Sequence, residues 1–335
     1  MLKNDWELHH ICLVVRDWND TLDYYQSARM GVNVGPQVMY LDYRNGGPAE
    51  FYSNDKLPRT NGGSGPGKPL KVESKRERRK EEEKRKRYKF MDKDCQVGDL
   101  LLEIGQNRSI PLEGITHLCF NVPDINAETD KLLEKGCKLM SCITQSDIIL
   151  ENHIDTRKYG NVDISFRPPV LQHEQAWIDH VRSHPNLKDW KFHGIGIGIR
   201  DLDKAVEYWE MLDIIDFQSE TEIDSNSLAP INVSSESMES NFKARVRVGQ
   251  VGSVAFEFIQ PLEGASIYHE SLDSRGEGVA DIAFKVADLE KEAATMIYRG
   301  MPVVFNGKPK NGPAFACFDA RENNGNILVK LIQRD

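Results

Sequence analysis

The chain has 335 residues, 39% of them apolar and 28% charged, a balance suited to a soluble globular protein with room for two cores. A formal net charge of −9 argues against general nucleic-acid binding, which needs a basic surface, and no apolar run approaches the roughly 18 residues of a membrane span. The six cysteines form neither a CxxC pair nor a disulfide framework, and the opening "MLKNDWELHH" lacks the apolar centre of a secretory signal, so a reducing, cytoplasmic setting is expected.

The first predicted element is a strand in "WELHHICLVVRDW", where alternation sends His9 and His10 to opposite faces. Asp17 is suited to starting the helix that follows, because its carboxylate accepts from the unpaired first-turn amides. The same strand–Asp–helix plan returns in "THLCFNVPDINAETDKLL", "HGIGIGIRDLDKAVEYW" and "ADIAFKVADLEKEAATMI", with the aspartate at 124, 201 and 288. Further strands close each copy: "VGDLLLEIGQ", "YGNVDISFRP", "VGSVAFEFIQPLEG" and "NGNILVKLIQ". The plan is an α+β fold of four βαβββ units. A lone unit leaves sheet edges and faces uncovered, so the units are expected to pair into two barrel domains. Their expected bounds are 1–170 and 191–335, with a Pro-marked linker at 171–190 that carries a short amphipathic stretch at Trp177, Ile178 and Val181.

The first unit is 30 residues longer than the third between corresponding strands, and the excess falls on a low-complexity stretch at about 56–90. A Gly/Pro/Ser-rich arm there leads into a charged run whose Glu81–Arg85, Glu82–Lys86 and Glu83–Arg87 pairs have helical spacing. Lys71 to Lys89 carries eleven basic and five acidic residues. It reads as a solvated helix or loop, or as an electrostatic handle for a phosphate-bearing ligand or an acidic partner.

Paired units with these openings resemble the vicinal oxygen chelate superfamily of glyoxalases, bleomycin-resistance proteins and dioxygenases. "GDLLLEIGQ" and "GNILVKLIQ" look most like strands of methylmalonyl-CoA epimerases. The resemblance implies one divalent metal in a two-unit barrel, held from the first and last strands of each unit. The first-strand ligand lies seven residues before the helix-leading aspartate, which gives His10 and His117; the last-strand ligand of unit one maps to Glu103. Two imidazoles and a carboxylate suit Zn, Co, Ni, Mn or Fe. The fourth ligand, a glutamate that doubles as base in the family, aligns with Ser165. Asp163 shares the face of Ser165 by alternation, so a small register shift would let it supply the carboxylate, and it is the candidate catalytic base.

The same offsets in the second half give Gly194, which cannot ligate, and Glu257, Asp281 and Lys330, which are expected to form an ion-paired cluster in place of a metal, with His193 facing away. The glycines of "GIGIG" are expected to allow close packing of a helix on the sheet. The function implied is a metal-dependent isomerase or epimerase that moves a proton beside a carbonyl or thioester of a small carbonyl, carboxylate or acyl-CoA substrate. A non-enzymatic small-molecule binder and an Fe(II) ring-cleaving dioxygenase are the alternatives. No nucleic acid or membrane partner is expected, and the chain is expected to be a monomer or a homodimer.

Overall fold

The computed structural model describes residues 4–33, 90–107, 113–145, 148–170, 172–233 and 242–334. The basic insertion expected at about 56–90 lies outside them.

Aspartates start the four repeat helices. Asp124 accepts from the amides of Asn126 and Ala127, Asp201 from Lys204, Asp288 from Lys291, and Asp17 from Asp20 at 3.4 Å. Each carboxylate satisfies N–H groups that the first helical turn leaves without an intrahelical partner.

In the N-terminal half, β1 (Glu7–Val15), α1 (Trp18–Ser27), β2 (Val32–Asn33), β3 (Phe90–Val97) and β4 (Leu100–Asn107) form the first unit. The second is β5 (Gly114–Asn121), α2 (Ile125–Glu134), β6 (Lys138–Gln145), β7 (Ile148–Asp155) and β8 (Asp163–Arg167). All eight strands join one sheet in the order β2-β3-β4-β1-β5-β8-β7-β6. β1 and β5 pair antiparallel at its centre, and each unit's last strand runs parallel to its first.

After α3 (Gln172–Arg182) the plan repeats. The third unit comprises β9 (Lys191–Gly198), α4 (Leu202–Leu212), β10 (Asp216–Phe217), β11 (Thr221–Asp224), β12 (Phe242–Val251) and β13 (Val254–Gly264). Then come α5 (Ile267–Arg275) and the fourth unit, β14 (Gly278–Val286), α6 (Leu289–Tyr298), β15 (Val303–Gly307), β16 (Phe315–Phe318) and β17 (Leu328–Gln333). This sheet has the order β10-β12-β13-β9-β14-β17-β16-β15, with β11 on β12.

The helix-facing side chains of both sheets merge into one apolar cluster that includes Tyr25, Phe120, Phe166, Trp209, Phe256 and Phe284. Burying side chains of this size against each other, at roughly 1.5–3 kcal/mol apiece, locks the halves together. Two equivalent turns finish the seam. Gly98 packs on the carbonyl of Trp190 and Gly252 on that of Trp6, and an added Cβ would lie 2.2 Å and 2.4 Å from those oxygens. Both glycines also have positive φ (58° and 55°), so no side chain fits at either turn. The opposite face of the first sheet gathers metal-ligating side chains, and that of the second carries a separate apolar cluster.

Candidate metal centre

The concave face of the first sheet begins with an irregularity in β1. Leu8 and Ile11 both pack into the helix-side core although they are three residues apart, and the β1–β5 pairing slips between Leu8 and His10. Strict alternation forbids that; a β-bulge permits it. The bulge corrects the expectation that His9 points away. It places both imidazoles together, with their Nδ1 atoms 2.8 Å apart and their rings edge to face.

The three residues expected to hold a metal converge. His10 Nε2 lies 3.2 Å from His117 Nε2 and 3.1 Å from Glu103 Oε2. These ligand atoms all lie within 4.8 Å of one another. Glu151 of β7 joins them, with Oε1 3.9 Å from His10 Nε2 and 3.8 Å from His117 Nε2. In a flat sheet β4 and β7 would stand about 19 Å apart, at roughly 4.8 Å per strand. Both reach His10, so the sheet curls into a cup around this point.

Neither Glu151 nor His153 is among the residues read from the sequence. Cup-side groupings of His117, Glu151 and His153, and of His10, Cys119 and Glu151, also have ligand atoms within 4.8 Å. The repeat offset could not find them, because β7 carries no ligand in the repeat pattern. The signal present is local: Glu151 and His153 are two apart inside the strand run "IILENHID", which puts two metal-ligating types on one face.

Ser165 occupies the position expected for it. Cys12, two residues beyond His10, pairs with Glu103, and Cys119, two beyond His117, pairs with Ser165. The β5–β8 register runs without a shift from His117↔Asp163 to Asn121↔Arg167, so Asp163 is not carried into the ligand position. Asp163 instead faces Arg157 at 3.3 Å, outside the three groupings.

Burial and the cluster's own charges set the protonation states. Burial is the main effect holding the His117 and His153 pKa values down, with Glu151 opposing it, which favours neutral imidazoles. Burial alone would raise the pKa of Glu151, but the positive charge that His153, His10 and His117 carry when protonated, together with that of Arg167, outweighs it and holds the carboxyl well below the usual range. Burial lifts Asp163 to about 7, Asp155 adding to the effect and Arg157 opposing it.

Neutral imidazoles beside ionised carboxylates are the states that a divalent cation requires of its ligands. One buried atom asks for such a cation. Glu151 Oε1 accepts no hydrogen bond, although three imidazole nitrogens surround it, the nearest being His153 Nε2 at 3.3 Å. His10, Glu103 and His117 fit the metal that the resemblance implies.

The second cup is built differently. Lys330 Nζ donates to Glu257 Oε2 at 2.6 Å, and the Tyr268 hydroxyl donates to Asp281 at 3.2 Å. Tyr268 belongs to α5, which has no counterpart among the described residues of the first half. Ile267 and Tyr268 of this helix join Phe242, Phe305 and Phe315 in an apolar cluster that fills the cup. Of the "GIGIG" glycines, Gly198 faces Leu272 of α5, to which an added Cβ would lie 3.6 Å away, whereas Gly196 makes room for the Asp281 carboxylate, where a Cβ would lie 2.1 Å from an oxygen. Here too the pairing slips beside Phe192, and His193 lies on the charged side: burial, then Lys285 and Lys330, bring its pKa down to about 4. That corrects its expected orientation, for the same reason as at His9.

Two family profiles match the chain, over residues 7–146 and 193–318, both described as the Glyoxalase/Bleomycin resistance protein/Dioxygenase superfamily. Among curated proteins, the uncharacterized protein YqjC of Bacillus subtilis (strain 168) is 32% identical over 93 residues, which is 27% of this chain and 66% of that protein. The match thus spans just under two thirds of that relative. Among solved structures, a variant of 4-hydroxymandelate synthase from Streptomyces coelicolor superposes with a TM-score of 0.60 at 12% identity, covering 98% of this chain and 92% of that one. Methylmalonyl-CoA epimerase from Mycobacterium tuberculosis gives 0.34 at 19% identity over 43% of this chain and 88% of its own. At 12% identity the likeness to the synthase is one of fold.

Proposed function

The chain belongs to the Glyoxalase/Bleomycin resistance protein/Dioxygenase superfamily, and from that premise we propose that its first cup is the centre of a divalent-metal-dependent isomerase or epimerase. The observation that carries this reading is the convergence of His10 Nε2, His117 Nε2 and Glu103 Oε2 at 3.1–3.2 Å around His10. These three residues would hold the ion. When bound, the ion supplies positive charge to the carbonyl or carboxylate oxygens of a small substrate.

The remaining chemistry falls to the chain. Asp163 is the proposed base: it lies on the strand of Ser165, and Arg157 holds its carboxylate in place at 3.3 Å. Its pKa of about 7 is close to the range where a carboxylate takes and returns a proton efficiently. The curl of the sheet buries His10 and His117 and leaves the Glu103 side chain 18% exposed. The proposed substrate class is a small carbonyl or hydroxy compound or an acyl-CoA.

The test is solvent proton exchange. Metal-loaded protein is incubated in deuterated buffer with 2-keto, 2-hydroxy and acyl-CoA compounds, and deuterium beside the carbonyl is read by mass spectrometry. Exchange with one class, lost in Asp163→Asn, supports the reading. Tight binding without exchange would make the protein a binder, and oxygen uptake with catechols under Fe(II) would make it a dioxygenase.

A further inference from the structure

The repeat leaves a gap in the metal's ligand set, and the structure fills it from an unexpected strand. Ser165 stands at the pseudo-symmetric counterpart of Glu103, as the two registers show. Its hydroxyl is a short side chain where the other half of the cup uses a long carboxylate. The partner of Ser165 on the far side is His153 of β7, so the next strand outward borders the vacated space.

From that strand Glu151 reaches in. It is 4% exposed, its Oε1 is orphaned as an acceptor, and His10 and His117 present their Nε2 atoms to it at 3.9 Å and 3.8 Å. Its other oxygen, Oε2, faces Arg167 Nη1 at 3.7 Å. His153 packs edge to face on His117, with ring centres 4.6 Å apart, and its Nε2 lies 3.3 Å from Oε1. Arg167 thus faces one oxygen of the carboxylate, and the other is left to face the imidazoles.

We propose that Glu151 is the fourth protein ligand of the ion held by His10, Glu103 and His117, replacing the last-strand carboxylate whose place Ser165 occupies. Arg167 and His153 are positioning residues that aim it. Two imidazoles and two carboxylates balance the charge of a divalent cation, and Asp163 is left free for proton transfer. This inference rests on the metal reading above and is separable from it.

The test uses the full chain, stripped by chelator and titrated with Co(II), reading affinity by competition and ligand field by visible absorption. The panel is wild type, Glu151→Gln, Glu151→His, Ser165→Ala and Asp163→Asn, with His10→Ala as the control. Loss of a direct ligand should cost at least the roughly 100-fold that a supporting residue can cost. Glu151→Gln should therefore weaken Co(II) at least about 100-fold. Glu151→His should restore binding with a shifted spectrum, and Ser165→Ala and Asp163→Asn should bind as wild type.

A folded Glu151→Gln with wild-type affinity and spectrum overturns the inference and leaves the three-residue metal reading intact. Wild type that binds no Co(II) overturns both. Should Glu151→Gln fail to fold, anomalous diffraction from Co(II)-loaded wild type decides. Cobalt bonded to Glu151 supports the inference; cobalt bonded to His10, Glu103 and His117 without it overturns the inference.

Discussion

The Nδ1 atoms of His9 and His10 are 2.8 Å apart, close enough for one to donate a proton to the other. If His10 ligates through Nε2, its Nδ1 carries the proton and donates it to His9, which fixes the tautomer and the ring orientation. His9→Ala should therefore weaken Zn(II) binding by about 10- to 100-fold without abolishing it, whereas His10→Ala abolishes it. Competition titration with a chromophoric chelator measures both. Equal affinities in His9→Ala and wild type would show that the bulge does not orient the ligand.

The second cup should show its own pH dependence. Burial lifts Asp281 to about 6, with Glu257 adding to the effect while Lys330 and the Tyr268 hydrogen bond oppose it. The folded chain then holds this proton more tightly than the unfolded chain, whose aspartate titrates near 3.9. Its contribution to stability is present below pH 4 and is lost as pH rises through 6, by a total on the order of 3 kcal/mol. Urea midpoints between pH 4 and 7.5 should show that decline in wild type, and Asp281→Asn should flatten it.

Gly196→Ala should destabilise the second half. The new Cβ would lie 2.1 Å from a side-chain oxygen of the buried Asp281. A cost of about 1–3 kcal/mol is expected from such overpacking. Thermal melting measures it, and Co(II) affinity should stay at the wild-type value because the first cup is untouched.

Tyr268→Ala tests whether α5 plugs the second cup. The substitution removes the ring that packs with Phe242 and the hydroxyl that donates to Asp281. A loss of about 3–5 kcal/mol is expected for a buried aromatic, together with binding of an apolar dye in the opened space. Wild-type stability would mean that the helix closes nothing.

Much of this was legible in the sequence because it repeats. The four aspartates at helix starts set the frame of the repeat, on which the family resemblance implied His10 and His117 by a common offset and Glu103 in "LLLEIG". What escaped breaks the repeat. The bulges beside His9 and His193 break the two-residue alternation, and no residue type marks them. Glu151 lies on β7, where the pattern expects no ligand, and becomes visible only when the curl of the sheet brings it to His10 and His117. The segment "ASIYHESLDSR" has Ser266 as its cap, yet only packing shows that Tyr268 fills the second cup.

The most direct test is metal stoichiometry. Purified protein, stripped and reloaded with Zn(II), is desalted and analysed for metal alongside His10→Ala and His117→Ala. One zinc per wild-type chain and none in either variant is the predicted result. A folded wild-type chain that retains no zinc, or variants that retain as much as wild type, would contradict a metal centre in the first cup.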